Sequence, residues 1–156
     1  MAYLLAQDAL NGKEGKAVVT IDGQQYELFN CKNIKLDYSI NTSDLKLVGT
    51  RVNQKKPTGI ELTGSMTIIY GTDMFKKMVR DYISYGRPPA FTLQVTNDDP
   101  AASVGVQTVV FYDCLINSGN FAQLDSDTDY LQEEVQFSYN RIAFLDTFHD
   151  PDRLGG

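Results

Sequence analysis

The sequence predicts a single, mainly β domain in which antiparallel strands carry one apolar and one polar face and a lone α-helix interrupts them. Three observations predict it. Apolar and polar residues alternate with period two over much of the chain, the pattern of half-buried strands. An Asp-Gly pair, Asp22-Gly23, sits between two such runs. Only the stretch 72–85 repeats its apolar residues at helical spacing.

The first two strands are residues 17–22 and 25–29, joined by a tight hairpin at Asp22-Gly23-Gln24, where glycine accepts positive φ without strain. Residues 31–41 place Ile34, Leu36, Tyr38 and Ile40 on one face and Lys35, Asp37, Ser39 and Asn41 on the other. Residues 60–70 repeat this, with Ile60, Leu62, Met66, Ile68 and Tyr70 opposed to Glu61, Thr63, Ser65 and Thr67. Between these two strands, 42–58 reads as a long loop, of a length that is usually functional or mobile. The helix 72–85 is expected to be capped by Thr72, with Asp73 at its positive end. Its stripe of Met74, Phe75, Met78, Val79, Tyr82 and Ile83 reads as a packing face, and Gly86-Arg87-Pro88-Pro89 stops it. Strands then follow at 91–96 and 106–117, separated by a loop at 97–105, and a long final strand at 129–144.

At 156 residues the chain can bury a core without staples, so residues 1–156 are read as one domain. A net charge of −6 is the wrong balance for gripping nucleic acid, which requires clustered Lys and Arg. Cys31 and Cys114 lie in apolar strands with no metal-ligand spacing, and read as buried thiols in a reducing compartment. Neither a secretion signal nor an apolar run long enough to span a bilayer is visible, so a soluble, cytoplasmically made protein is expected.

The residues that carry catalysis are missing. The single histidine, His149, lies in the tail segment, so no histidine cluster or nucleophilic triad can be built around it. Asp125-Ser126-Asp127-Thr128-Asp129 starts like a calcium loop. It lacks the glycine at the sixth position, and the twelfth is Gln136 rather than glutamate, so it reads as a solvated turn. Glu133 and Glu134 are adjacent in a strand and point to opposite faces, so they do not form a carboxylate pair. No enzyme activity, cofactor or metal is expected.

Strands of ten or more residues leave long edges that need partners, and few prolines or lysines blunt them. A ring of identical subunits, each pairing its sheet edge with the next, would satisfy those edges and turn the polar faces toward a lumen. The lumen-facing candidates are Lys35, Asp37, Ser39, Glu61, Thr63, Ser65 and Thr67. The candidates for contact between subunits are Leu45, Lys46, Leu47, Val48, Arg51, Lys55 and Lys56 of the 42–58 loop.

The run Thr63-Gly64-Ser65-Met66-Thr67-Ile68-Ile69-Tyr70-Gly71-Thr72-Asp73-Met74-Phe75 resembles the tail tube proteins of contractile phage tails, in particular those of PBSX-type defective prophages and R-type bacteriocins of Gram-positive bacteria. The resemblance continues through Gln94-Val95-Thr96-Asn97-Asp98-Asp99-Pro100, Gly105-Val106-Gln107-Thr108-Val109-Val110, Leu124-Asp125-Ser126-Asp127 and Glu133-Glu134-Val135-Gln136-Phe137, in order over nearly the whole chain. It implies a β-sandwich or partial barrel with one helix, shared with type VI secretion tube proteins. It also implies stacked hexameric rings inside a contractile sheath, with sheath, baseplate and tape-measure proteins as partners and DNA as a transient passenger. Assembly would occur in the bacterial host cytoplasm, ahead of the virion tail or a released headless particle. A type VI-like secreted tube and a β-sandwich ligand-binding module are the rival expectations.

Overall fold

The computed structural model describes residues 2–10, 12–28, 31–70, 73–152 and 154–155. A two-residue pairing of β1 (Tyr3–Leu4) with β10 (Leu154–Gly155) brings the two ends of the chain together, a contact with no pattern in the sequence to announce it. The remaining strands form one antiparallel sheet. They are β2 (Gly15–Ile21), β3 (Gln24–Glu27), β4 (Cys31–Leu45), β5 (Gln54–Ile69), β6 (Ala90–Asp98), β7 (Val106–Ser118), β8 (Gln132–Ser138) and β9 (Arg141–Asp146). Helix α1 spans Met74–Tyr85. The sheet order is β3-β2-β6-β7-β8-β5-β4, with β9 on β7.

This sheet folds over on itself rather than lying flat, and the fold line is visible in the backbone. Asp113 in β7 has φ 57°, a left-handed conformation uncommon for a residue with a side chain. The β6–β7 register shifts beside it, between Phe91 and Leu93, as a β-bulge does. Opposite, the ribbon at 132–146 breaks at Tyr139–Asn140. The expected single strand 129–144 is therefore two strands, because each half pairs with a different stretch of β7. The Asn140 N–H, at the break, donates to the Tyr112 carbonyl.

The two leaves made this way bury one core between them. Met66, Ile68, Val135 and Phe137 come from β5 and β8; Val19, Leu93, Val109 and Phe111 come from β2, β6 and β7. The rings of Phe75, Phe91 and Phe137 meet edge-to-face, at 5.6 and 5.4 Å between centroids, and tie α1 to both leaves. Tyr139 does the same at the bend. Its ring packs on Phe111 at 5.1 Å and its hydroxyl donates to the Asp37 carbonyl of β4 at 2.8 Å.

Asp22-Gly23 forms the expected two-residue hairpin, both residues at positive φ, which matches the twist of the flanking strands. Residue 29 of the expected second strand and the expected cap Thr72 lie outside the described residues. Asp73 holds the N-cap position without a side-chain capping bond, and Gly86, at φ 72°, closes the helix.

Two expectations are corrected. Most of 42–58 is not loop, because β4 and β5 run on as a paired ribbon from Cys31↔Ile68 out to Leu45↔Gln54. Only residues 46–53 form the connecting tip. The sequence there is poor in apolar residues because the ribbon has left the core, so burial no longer imposes an alternation. Proline at 57 fits, since it pairs with Thr42 beside the register shift at Asn41. Second, the helix stripe is covered only in its first half. Met74, Phe75 and Met78 pack on the core, whereas Tyr82 and Ile83 are exposed.

Gly64 marks a close approach between a backbone and a ring in the sheet. A Cβ there would lie 2.6 Å from Phe137 Cζ and 3.3 Å from Leu36 Cγ. Gly64→Val should cost about 1–3 kcal/mol through overpacking, read as a lower midpoint in chemical denaturation. An unchanged midpoint would show that Phe137 is not held against this backbone.

Candidate functional site

The registers of β4, β5 and β8 assemble a polar surface on the side of the sheet away from the core. Lys35 pairs with Ser65, Asp37 with Thr63, and Ser39 with Glu61. On the other edge of β5, Thr67 pairs with Glu134, Ser65 with Gln136 and Thr63 with Ser138. Ser118 of β7 extends the row by donating to Gln136 Oε1 at 3.3 Å. All seven candidates Lys35, Asp37, Ser39, Glu61, Thr63, Ser65 and Thr67 thus share one face, exposed or half-buried. The face continues onto Glu134, Gln136, Ser138 and Ser118, which sequence reasoning had not attached to it. Their signal was the same period-two alternation in 132–138, but only the strand order shows which sheet that strand joins. Leu115, opposite Ser138, is an apolar exception at the margin. One cation, Lys35, stands against Asp37, Glu61 and Glu134 on this face, so it carries net negative charge (+1 − 3 = −2).

The subunit-contact candidates all lie at the far end of the same ribbon. Leu45 ends β4, Lys55 and Lys56 lie in β5, and Lys46, Leu47, Val48 and Arg51 occupy the tip. Every one is exposed, Val48 fully. The Lys55–Asp44 ion pair, at 3.9 Å in solvent, adds little stability. The apolar face of the ribbon is also bare beyond Leu36 and Leu62. Tyr38 is 72% exposed, Ile60 is 56% and Ile40 is 52%. Tyr38 and Ile40 share the expected face with Ile34 and Leu36, and Ile60 with Leu62, but among the described residues these outer side chains are left uncovered. In hydrogen-bonding terms β4 has a partner on one side only, and β5 meets β8 only over Thr63–Ile69.

Beneath α1 lies a buried charge pair. Glu133 is 3% exposed and faces inward with Val135 and Phe137, while Glu134 faces out, as strand alternation requires. Lys76 Nζ approaches Glu133 Oε2 at 3.8 Å and caps the Tyr70 ring at 3.5 Å from its centroid. Burial pushes the Glu133 carboxyl above its ordinary value, and Lys76 offsets this only in part. Cys114, wholly buried, has its thiol pushed up to about 12 by desolvation, whereas Cys31 is half-buried. The Asp127 N–H donates to Asp125 Oδ1, so the acidic segment closes an exposed Asx turn. His149 is exposed beside Gly105. Among the described residues no group of three or more His, Cys, Asp or Glu is placed to hold a metal ion, and no helix is long and apolar enough to cross a membrane.

A protein-family profile described as phage tail tube protein matches residues 2–146. The chain is 33% identical over 151 residues to the phage-like element PBSX protein XkdM of Bacillus subtilis (strain 168), covering 97% of this chain and 96% of that one. Among solved structures, a chain of the anti-feeding prophage baseplate superposes with a TM-score of 0.66 at 8% identity, over 85% of this chain and 92% of that one. A chain from the extended sheath–tube complex of the PVC extracellular contractile injection system gives 0.62 at 13% identity, over 89% and 93%. At such identities the structural matches establish the shared fold.

The raised Glu133 pKa has a definite sign. Folding favours the protonated acid, so its ionisation penalty is absent below the unfolded-state pKa and grows as pH rises toward the folded-state value. Glu133→Gln should therefore gain stability relative to wild type as pH rises from acid toward neutral. Denaturation midpoints of both proteins across pH check this; a relative gain on acidification would contradict it.

Proposed function

The chain belongs to the phage tail tube protein family, and from that membership we propose that it is the inner tube subunit of a contractile phage tail or phage-tail-like bacteriocin. In this reading it works as a structural element rather than an enzyme. Copies join into hexameric rings that stack around a hollow channel, within a sheath and on a baseplate. The polar face of β4, β5 and β8, with Lys35, Asp37, Ser39, Glu61, Thr63, Ser65 and Thr67, lines the lumen. The tip residues 46–53 and the adjoining Leu45, Lys55 and Lys56 contact a neighbouring copy.

The observation that carries the reading is the ribbon. Its outer half has free strand edges, a bare apolar face and a hydrophilic face, which suits a wall shared between copies. The net negative polar face supports passage of a polyanion, since a lumen rich in lysine and arginine would hold DNA through counterion release. Assembly would take place in the bacterial host cytoplasm, with a tape-measure protein and then DNA as transient occupants of the channel.

Negative-stain microscopy of the purified protein, or of the particle carrying it, should show six-fold rings or tubes. A strictly monomeric species at high concentration and on every template would contradict the reading. Replacing Leu45, Leu47 and Val48 together by serine should leave the thermal midpoint nearly unchanged, as surface substitutions do, while abolishing sedimentable polymer. Loss of folding in the monomer would instead assign these side chains to the core.

A further inference from the structure

The two leaves of the sandwich do not close along one seam. Between β4 and the ends of β2, β6 and β7 lies an open cleft of about 740 Å³. Ile34, Leu36, Val109 and Phe111 contribute apolar surface to it, and Lys13, Lys16, Lys32 and Lys35 border it. Among the described residues no aspartate or glutamate lines it, in a chain where 20 acidic residues outnumber 14 Lys and Arg. Among the described residues Lys16, Lys32 and Lys35 have no carboxylate partner; the ion pairs lie elsewhere. β4, which forms one wall, is a sheet edge open to an added strand.

The chain also carries the complement of this cleft. In Leu124-Asp125-Ser126-Asp127-Thr128-Asp129 the Leu124 side chain is 98% exposed, and every residue through Asp129 is solvent-facing. None of the three aspartates has an ion-pair partner among the described residues. Within one chain the residues just after this segment reach the lysine rim: Lys32 Nζ lies 5.9 Å from the Tyr130 ring centroid and donates to Gln132 Oε1 at 3.5 Å.

Resting on the tube reading above, we infer that the seam cleft of one copy receives the 124–129 segment of another, with Leu124 on the apolar floor and the three aspartates among the lysines. Unpaired cations over apolar surface meet unpaired anions beside an exposed leucine, and burying both together satisfies each. Cleft and segment are different patches, so the contact is head-to-tail and propagates from copy to copy. A polar rim of this kind is salt-sensitive and sets which surfaces meet.

Charge exchange tests it. Two variants are made: Asp125→Lys/Asp127→Lys/Asp129→Lys, and Lys16→Glu/Lys32→Glu. Each should keep the wild-type circular dichroism spectrum and lose at least tenfold in sedimentable polymer. Mixed one to one, or with all five changes in one chain, they should regain polymer, because each reversed segment then meets a reversed cleft. Single variants that assemble like wild type would overturn the contact while leaving the tube reading intact. Folded variants that both fail and do not rescue one another would overturn it too. Variants that polymerise normally but no longer bind purified sheath protein would reassign the cleft to that partner. A wild-type chain that never polymerises would defeat the tube reading itself.

Discussion

A backbone amide or carbonyl needs a partner, and the β4–β5 ribbon is longer than the domain that carries it. β4 runs 15 residues and β5 runs 16, but β8 supports β5 only along Thr63–Ile69. Beyond Leu62, whose carbonyl accepts from the Tyr139 N–H, the two strands have only each other among the described residues. An isolated two-stranded ribbon is marginal in water, and this one also exposes Tyr38, Ile40 and Ile60. In the proposed tube, the unsupported half of the ribbon is the part that other copies would complete. Water can solvate the free edges of a single copy, but it offers nothing to the apolar face.

The rest of the domain anchors the root of the ribbon. The sheet bends where Asp113 adopts positive φ and where the 132–146 ribbon breaks at Tyr139. At that bend the Tyr139 hydroxyl reaches the Asp37 carbonyl, at the point where β4 leaves the core. Close by, Gly64 lets the Phe137 ring lie directly against the backbone of β5. The buried Lys76–Glu133 pair under α1 adds little net stability, because desolvating both ions roughly cancels their attraction. It links the helix to β8, beside the core that holds the root of the ribbon.

Much of this was legible in the sequence where one face is buried. The alternations in 31–36 and 62–68 are sharp because Ile34, Leu36, Met66 and Ile68 enter the core, and Asp22-Gly23 states its own turn chemistry. Legibility failed where burial stops. Residues 42–45 and 54–58 are strand without a core to pattern them, so a loop was expected there. The break at Tyr139–Asn140 was hidden because both halves of the ribbon alternate in the same way; only long-range pairing with β7 divides them. The polar face was half visible, since sequence identifies which residues of a strand are polar but not that β8 and β7 lie next to β5. The seam cleft left no trace at all: Lys13, Lys16, Lys32 and Lys35 come together only when the sheet folds over.

The most direct measurement of the central claim is amide hydrogen exchange on the monomer and on the assembled polymer, read peptide by peptide. Residues 37–45 and 54–61 should exchange quickly in the monomer and become strongly protected in the polymer, while peptides from β8, which pairs with both β5 and β7 within one chain, change little. Equal exchange of the ribbon in the two states would mean that its edges and bare face find no partner in other copies, and the account would be wrong.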